Sequence, residues 1–532
     1  MNAANVDAPA ASATSAQRRG PVNPAEMPIG RKVFAFASMC VGTFIALLDI
    51  QIVSASLRDI GGGLSAGADE IAWVQTSYLI AEIIVIPLSG WLSRVMSTRW
   101  LFAASALGFT ITSLLCGAAW DIRSMIVFRA LQGFLGGSMI PMVFTTVFVF
   151  FDRKQVIYAA ATIGAIASLA PTLGPSLGGW ITDHYSWHWL FFINVVPGLF
   201  VMIAVPLLVH TDDPDWSLLR DADYPGIGLL AAFLGCLEYT LEEGPRWNWF
   251  SDDTITTTAW IAAIAGLLFI WRSLTFARPV VDLRALGQRN FALGCFFSFV
   301  TGIGLFATIY LTPLFLGRVR GYSALQIGEA IFSTGIFQLM SIPVYAFLAR
   351  RMDLRWILMI GMTIFALSMW EFTPITHDWG AAQLLLPQAL RGFAQQLTVA
   401  PTVTLTLGSL PPNRLKLASG LFNLMRNLGG AIGIAACATL LNDRTNLHFE
   451  RLAEHLTNTN EAMNDWFAQL GTRATDDGQA LHLLWSLAYR EAQTETYADS
   501  FLVIMVCLVV AVVLVPLMRK VRPPSAPSPD AH

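Results

Sequence analysis

Fourteen stretches of the chain are apolar nearly throughout, with no continuous charged stripe to face water. They cover about 33–57, 71–92, 100–119, 124–150, 157–181, 188–209, 225–241, 254–274, 291–316, 326–349, 355–373, 380–408, 417–441 and 498–518. A helix needs ~20 such residues to cross the hydrocarbon of a bilayer. A membrane barrel would show shorter, alternating segments instead. The pattern predicts an all-α integral membrane protein with fourteen transmembrane helices.

The apolar runs hide a repeat. Ile86-Pro87-Leu88-Ser89-Gly90-Trp91-Leu92-Ser93-Arg94 returns as Ile342-Pro343-Val344-Tyr345-Ala346-Phe347-Leu348-Ala349-Arg350, 256 residues on (342 minus 86). Arg99-Trp100-Leu101 returns at the same offset as Arg355-Trp356-Ile357. Ala130-Leu131-Gln132-Gly133-Phe134 returns as Ala389-Leu390-Arg391-Gly392-Phe393, now 259 on (389 minus 130). The repeat pairs span 2 with 10, 3 with 11 and 4 with 12. Spans 1–6 and 9–14 are then two six-helix bundles, and spans 7 and 8 an insertion between them. Duplicated apolar halves are the signature of a secondary transporter, whose halves rock about a site held between them.

The expected organisation is a disordered cytoplasmic N-terminus over 1–32, rich in Ala, Pro and Ser. A first bundle over 33–209, inserted helices with linkers over 210–290, a second bundle over 291–518 and a cytoplasmic tail over 519–532 follow. The second bundle includes an outer loop, 442–497. That loop has helical patterning around Leu447, Leu452 and Leu456 and across Leu481–Trp485, which suits a segment on the membrane surface, a partner surface or a cap over the transporter's own mouth.

Composition agrees: 55% of the 532 residues are hydrophobic and only 13% charged, too little charge to cover a soluble protein of this size. A net charge of −3 gives no footprint for nucleic acid. Of the 33 Lys and Arg, 21 fall on the side of the termini and 9 on the other, so both termini are expected in the cytoplasm. The six cysteines lie within apolar runs with no CxxC, which predicts packing residues rather than disulfides or a metal site. No GxxxxGK[ST] or HExxH occurs, so neither an ATP-driven pump nor a zinc-dependent membrane protease is indicated.

Ionisable residues inside spans are costly and therefore candidates for function. Asp49 lies late in span 1, Glu82 in the middle of span 2, and Arg129 at the start of span 4. A buried carboxylate holds a proton more tightly, and a nearby Arg expels it. Rocking that changes burial or partner would load a proton on one face and release it on the other. Asp49, Glu82 and Arg129 belong to one half and can share one cavity; each also has a plain structural reading as part of an ion pair. Arg391 and Arg426 are the polar core candidates of the second half. Glu238, Glu329 and Glu371 are equally readable as helix-neighbour or interfacial residues. In span 5, Ala170, Gly174 and Gly178 recur every four residues beside Pro171 and Pro175. This smooth, bent helix suits a sliding contact between halves.

These residues carry a resemblance. Arg129-Ala130-Leu131-Gln132-Gly133 is similar to the span 4 motif of the major facilitator superfamily, and Gly174-Pro175-Ser176-Leu177-Gly178-Gly179 to its antiporter motif. With Leu48-Asp49, Phe191-Phe192-Ile193-Asn194-Val195, Leu424-Met425-Arg426-Asn427-Leu428-Gly429-Gly430 and the extra pair of spans, the chain resembles the fourteen-span drug:proton antiporters of the EmrB/QacA type over 33–520, most closely the EmrB-like branch. The resemblance implies a major facilitator fold and proton-coupled export of hydrophobic or amphipathic compounds. It implies no cofactor beyond the proton gradient, and proton coupling at Asp49 and Arg129. Gly174, Pro175, Gly178 and Gly179 would form the helix-bending element. It also implies an inner-membrane location and a partnership with a periplasmic adaptor and an outer-membrane channel, with 442–497 as docking candidate. A dedicated metabolite or siderophore exporter is the alternative, and a membrane-embedded enzyme or sensor a remote one. In one place the chain departs from the superfamily: Arg94, followed by Val95, stands after span 2 where an acidic residue is usual. The inner-gate ion pair of that loop is not expected in its standard form.

Overall fold

A computed structural model describes residues 27–411, 414–456 and 477–520. Fourteen long helices dominate it: α1 (Ile29–Ala55), α2 (Ala68–Val95), α3 (Thr98–Gly117), α4 (Ile122–Phe150), α5 (Arg153–His184), α6 (Val195–Leu208), α7 (Tyr224–Glu243), α8 (Asp253–Thr275), α9 (Arg289–Arg318), α10 (Ala324–Arg351), α11 (Leu354–Phe372), α12 (Ala381–Leu407), α13 (Leu415–His455) and α14 (Asp477–Leu514). A short turn of helix, Trp189–Phe192, leads into α6. Thirteen of the spans are long and apolar enough to cross a membrane on their own. The other is α12, whose Gln388, Arg391, Gln395 and Gln396 lower its hydropathy yet are fully buried. It packs against α10 and α11 and against α5 of the first bundle, so its polar residues face other helices rather than lipid.

The helices start where polar caps supply the backbone N–H groups with acceptors. Asp121 accepts from Ser124 N at 2.8 Å to open α4. Asp252 accepts from Ile255 N at 3.0 Å to open α8, and Asp353 accepts from Arg355 N at 3.1 Å to open α11. Asp223 does double duty: it accepts from Gly226 N at 3.0 Å to open α7, and from Arg272 Nε of α8 at 2.5 Å. This ties the inserted pair together. The pair sits at the periphery, since only 28% of the most apolar window of α7 or α8 is buried, against 78% for α4. One edge of α7 touches α2, where Tyr239 stacks on Trp73 at 5.4 Å. The α7–α8 turn reaches α13, with Asn442 Nδ2 donating to Pro245 O at 2.8 Å.

The halves meet along two seams. On the side of the termini, α2 and α13 touch backbone to backbone: a Cβ on Gly90 would lie 2.4 Å from Lys416 O, and one on Gly420 3.0 Å from Ile86 O. Thr145 and Ser419 share a hydrogen bond of 2.7 Å beside them. In the other seam, α5 lies against α10 and α12. Gln338 Nε2 donates to Ala165 O at 3.3 Å and Gln396 Nε2 to Ala161 O at 2.9 Å.

One expectation changes. The stretch expected as an outer loop, 442–497, is helical over 442–455 and 477–497, as extensions of α13 and α14. The extensions outlast the apolar spans because they pack on each other. Arg444 and His448 both reach Asp499, at 2.7 and 2.9 Å, and Trp485 stacks on Tyr489 beside Phe449. Residues 457–476 of that stretch lie outside the described residues, as do 1–26 and 521–532 of the expected N-terminus and tail.

Candidate functional site

The first bundle contains a fully buried ion pair. Asp49 of α1 and Arg129 of α4 each have 0% exposure, and Arg129 Nη1 lies 2.5 Å from Asp49 Oδ2. Glycines bring the helices close enough for this. A Cβ on Gly133 would stand 2.3 Å from Tyr78 O, and one on Gly137 2.8 Å from Glu82 Cγ, so α4 runs hard against α2. That approach lays the Tyr78 ring over the guanidinium at 4.2 Å and lets Arg129 Nε donate to Val74 O at 3.1 Å.

The remaining valences of Asp49 are filled by residues the sequence reading quoted but did not assign. Gln132 Nε2 donates to Asp49 Oδ1 at 3.1 Å and Asn194 Nδ2 to the same oxygen at 2.6 Å. Ser113 accepts from Gln132 Nε2 at 2.7 Å. Gln132 Oε1 in turn accepts from Arg129 Nη1 at 2.8 Å. A buried pair is tolerated only with such extra hydrogen bonds, and removing one partner costs about 3–5 kcal/mol. The available signal was polarity out of place: Gln132 lies one helical turn beyond Arg129, and Asn194 interrupts an apolar run.

Glu82 is buried on α2 next to this network without a side-chain hydrogen bond to it. It lies within electrostatic reach of Arg426 of α13, of Arg129 and of Asp49. Arg426 is buried, 5.5 Å from the Phe144 ring of α4. Glu82 thus stands between a cation of its own half and one of the opposite half. Glu238 is buried on the inserted α7, so it does not snorkel to the surface.

Gly174 and Gly178 do not lie on a seam between halves. A Cβ on Gly174 would be 2.3 Å from Gln51 Cβ, and one on Gly178 2.6 Å from Ile52 O. Both therefore seat α5 on α1, within one half and two to three residues from Asp49. The expected sliding face is instead a support for the helix that carries the acid. Gly179 is buried and Pro175 half-buried. The contact of α5 with the other half uses different residues, such as Ser176, which sits against Gly328 of α10.

In the second bundle Arg391 is fully buried. Its Nη2 donates to Thr334 Oγ1 at 3.0 Å, and the Thr334 hydroxyl donates to Gln388 Oε1 at 2.6 Å.

The loop after α2 also has an ion pair, assembled from a distance. Asp212, from the stretch between α6 and α7, accepts from Thr98 N at 2.8 Å and from Lys416 Nζ at 2.7 Å. Lys416 opens α13 of the other half. Arg94 itself is exposed and offers only its carbonyl, to Asp215 N. The loop itself carries no acid, and Asp212, 114 residues beyond Thr98, pairs with Lys416 at the seam.

Comparisons with known proteins agree with this architecture. The family description "Major Facilitator Superfamily" matches residues 39–434. The colistin resistance protein EmrB of Acinetobacter baumannii is 36% identical over 88% of this chain and 91% of its own length. The multidrug export protein EmrB of Escherichia coli K12 is 32% identical over 81% and 85%. The fatty acid resistance protein FarB of Neisseria gonorrhoeae is 29% identical over 93% and 98%. Among solved structures, the human organic anion transporter MFSD10 superposes with a TM-score of 0.55 at 14% identity, over 91% of this chain and 100% of its own, which speaks for the fold alone. The chain belongs to the major facilitator superfamily, and is a multi-pass membrane transporter rather than an enzyme.

Proposed function

We propose that the protein is a proton-coupled antiporter that exports hydrophobic or amphipathic drugs and toxic compounds by alternating access. The observation that carries this reading is the fully buried Asp49 with its donors Arg129, Gln132 and Asn194. A proton arriving at Asp49 cancels the charge that holds Arg129. The guanidinium then needs new acceptors, and the network has two arrangements, loaded and empty. Glu82 adds a second acid whose nearest cation changes when the halves separate, because Arg426 travels with the second half. Gly174 and Gly178 transmit bending of α5 to the α1 segment that bears Asp49. The relatives named as multidrug export, colistin resistance and fatty acid resistance proteins support export of varied compounds over a single metabolite.

In this reading the chain lies in a cell inner membrane with both termini cytoplasmic and takes its energy from the proton gradient. It hands its substrates to a periplasmic adaptor and an outer-membrane channel. The paired extensions of α13 and α14 are the docking surface for the adaptor. Trimming them is expected to lower adaptor co-purification; full retention would make them a cap over the transporter's own mouth.

The test is growth of an efflux-deficient host across a compound panel, with wild-type chain, with Asp49→Asn, and with an uncoupler. Wild type is expected to raise tolerance to several unrelated amphiphiles, and both the substitution and the uncoupler to abolish the gain at equal expression. Uncoupler-insensitive tolerance would remove proton coupling, and a gain for one compound only would favour a dedicated exporter.

A further inference from the structure

The second bundle buries a cation without an anion. Arg391 is fully buried in α12, and among the described residues no carboxylate pairs with it. Thr334 satisfies one N–H; Nε and Nη1 have no hydrogen-bond partner. Guanidinium stays charged at any physiological pH, so it cannot escape by shedding a proton. A lone buried charge costs several kcal/mol unless an anion compensates it.

The surroundings show where that anion would sit. Arg391 borders a void of about 10 Å³ lined by Pro171, Thr172 and Pro175 of α5 and by Thr308, Thr312 and Ile331 of α9 and α10. The void is at most about the size of one water. However, its walls come from both halves: α5 belongs to the first, and α9, α10 and α12 to the second. Any motion that parts α5 from the second bundle enlarges this void and opens the unpaired edge of Arg391 to it. The free Nε–H and the free Nη1 lie on different edges of the planar guanidinium, and a carboxylate reaching either edge can accept a charge-assisted hydrogen bond from it.

We propose that Arg391 is the receiving group for the anionic head of amphipathic substrates, a carboxylate foremost, whose apolar part lies along the α5–α9 seam. The site rests on the exporter reading above and narrows its substrate class to include organic anions. The first half would then handle the proton through its acid, while the second handles substrate charge through its base.

The test is binding to the full chain in phosphatidylcholine nanodiscs at pH 8, with empty discs subtracted. The probes are decanoate, decanamide and decylammonium, which share a tail and differ in head charge. Wild type is expected to bind decanoate more tightly than decanamide. Arg391→Gln should weaken decanoate by about tenfold or more, the loss of a charge-assisted hydrogen bond, and leave the other two probes unchanged. Arg391→Lys, which keeps the charge and loses the guanidinium's directed N–H groups, should fall between. An unchanged decanoate affinity in Arg391→Gln overturns the assignment, as does an equal loss for all three probes. Should Arg391→Gln not fold, wild type alone decides: decanoate binding no tighter than decanamide overturns it. Binding needs no gradient, so failure here is separable from failure of the coupled-export reading, which the growth panel reads.

Discussion

Residues related by the repeat make the same backbone contacts in the two halves. Gly133 stands against Tyr78 O, and Gly392 stands against Thr334 O, each at about the distance that excludes any side chain. Around this shared frame the side chains differ. Arg129 and Gln132 of the first half correspond to Gln388 and Arg391 of the second, so Arg and Gln have exchanged places. Glu82 corresponds to Gln338. The first half has Asp49 to meet its Arg, whereas the Arg of the second half meets Thr334. Duplication preserved the helix packing, and the chemistry diverged by a few polar substitutions on that packing.

The loops after α2 and α10 differ in the same way. Asp353 of the second half caps α11 and binds Arg355 Nη2 at 3.0 Å, so that loop carries its own acid. At the matching place the first half has Ser97, which accepts only from Trp100 N. The acid comes instead from Asp212 and pairs with Lys416 across the seam. One loop is closed within its own half, and the other is closed by the opposite one.

The largest expected effect separates the two buried arginines. Arg129→Gln leaves Asp49 buried without its cation and is expected to cost about 3–5 kcal/mol. Arg391→Gln restores the residue type of the first half and removes an unpaired charge, so stability is expected to hold or rise. Thermal unfolding of both in the same detergent decides; equal losses would erase the distinction between the halves.

Next come the shared glycines. Gly133→Ala and Gly392→Ala each push a methyl group into a backbone carbonyl, and overpacking of this kind costs about 1–3 kcal/mol. The two should lose stability by similar amounts, and a large difference would show that the frames are not equivalent.

A smaller effect is expected at the seam. Asp212→Asn removes the charge opposite Lys416 but retains an acceptor for Thr98 N. The fold should change by under about 1 kcal/mol, while cross-linking of cysteines placed at Thr145 and Ser419, which face each other across the same seam, should slow as the seam opens more often. An unchanged cross-linking rate would make this pair incidental to closure.

An effect of similar size belongs to Asp353. Burial raises its carboxyl, but hydrogen bonds and charge from Arg355 outweigh this and hold it below the usual carboxylate range. The stabilisation is therefore present at neutral pH and is lost only as pH falls below about 4. Asp353→Ala is expected to cost about 1 kcal/mol at pH 7 through the lost cap, with the gap to wild type narrowing in acid. A gap that widened in acid would contradict the sign.

How much of this was legible follows from range in sequence. The repeat, the spans and the acids within them stand out because apolar runs make any charge conspicuous. Asp49 and Arg129 were readable as partners for that reason. Arg391 stands inside a repeated motif, but its lack of an acid is a fact of three dimensions. The Asp212–Lys416 pair joins residues 204 positions apart in ordinary charged stretches, so nothing local marks it. The glycine face of α5 was legible as a close contact, but its neighbour was not, because spacing reports that something approaches and never which helix. The helical patterning beyond the last two apolar spans was legible, but its continuity with α13 and α14 was not, because hydropathy measures affinity for lipid and these extensions are held by each other.

Those extensions also set a length. A helix of 41 residues such as α13 rises about 60 Å at ~1.5 Å per residue, twice the ~30 Å of hydrocarbon it crosses. The excess continues past the apolar span as a pair of helices braced at Asp499, long enough for contacts made there to involve no lipid.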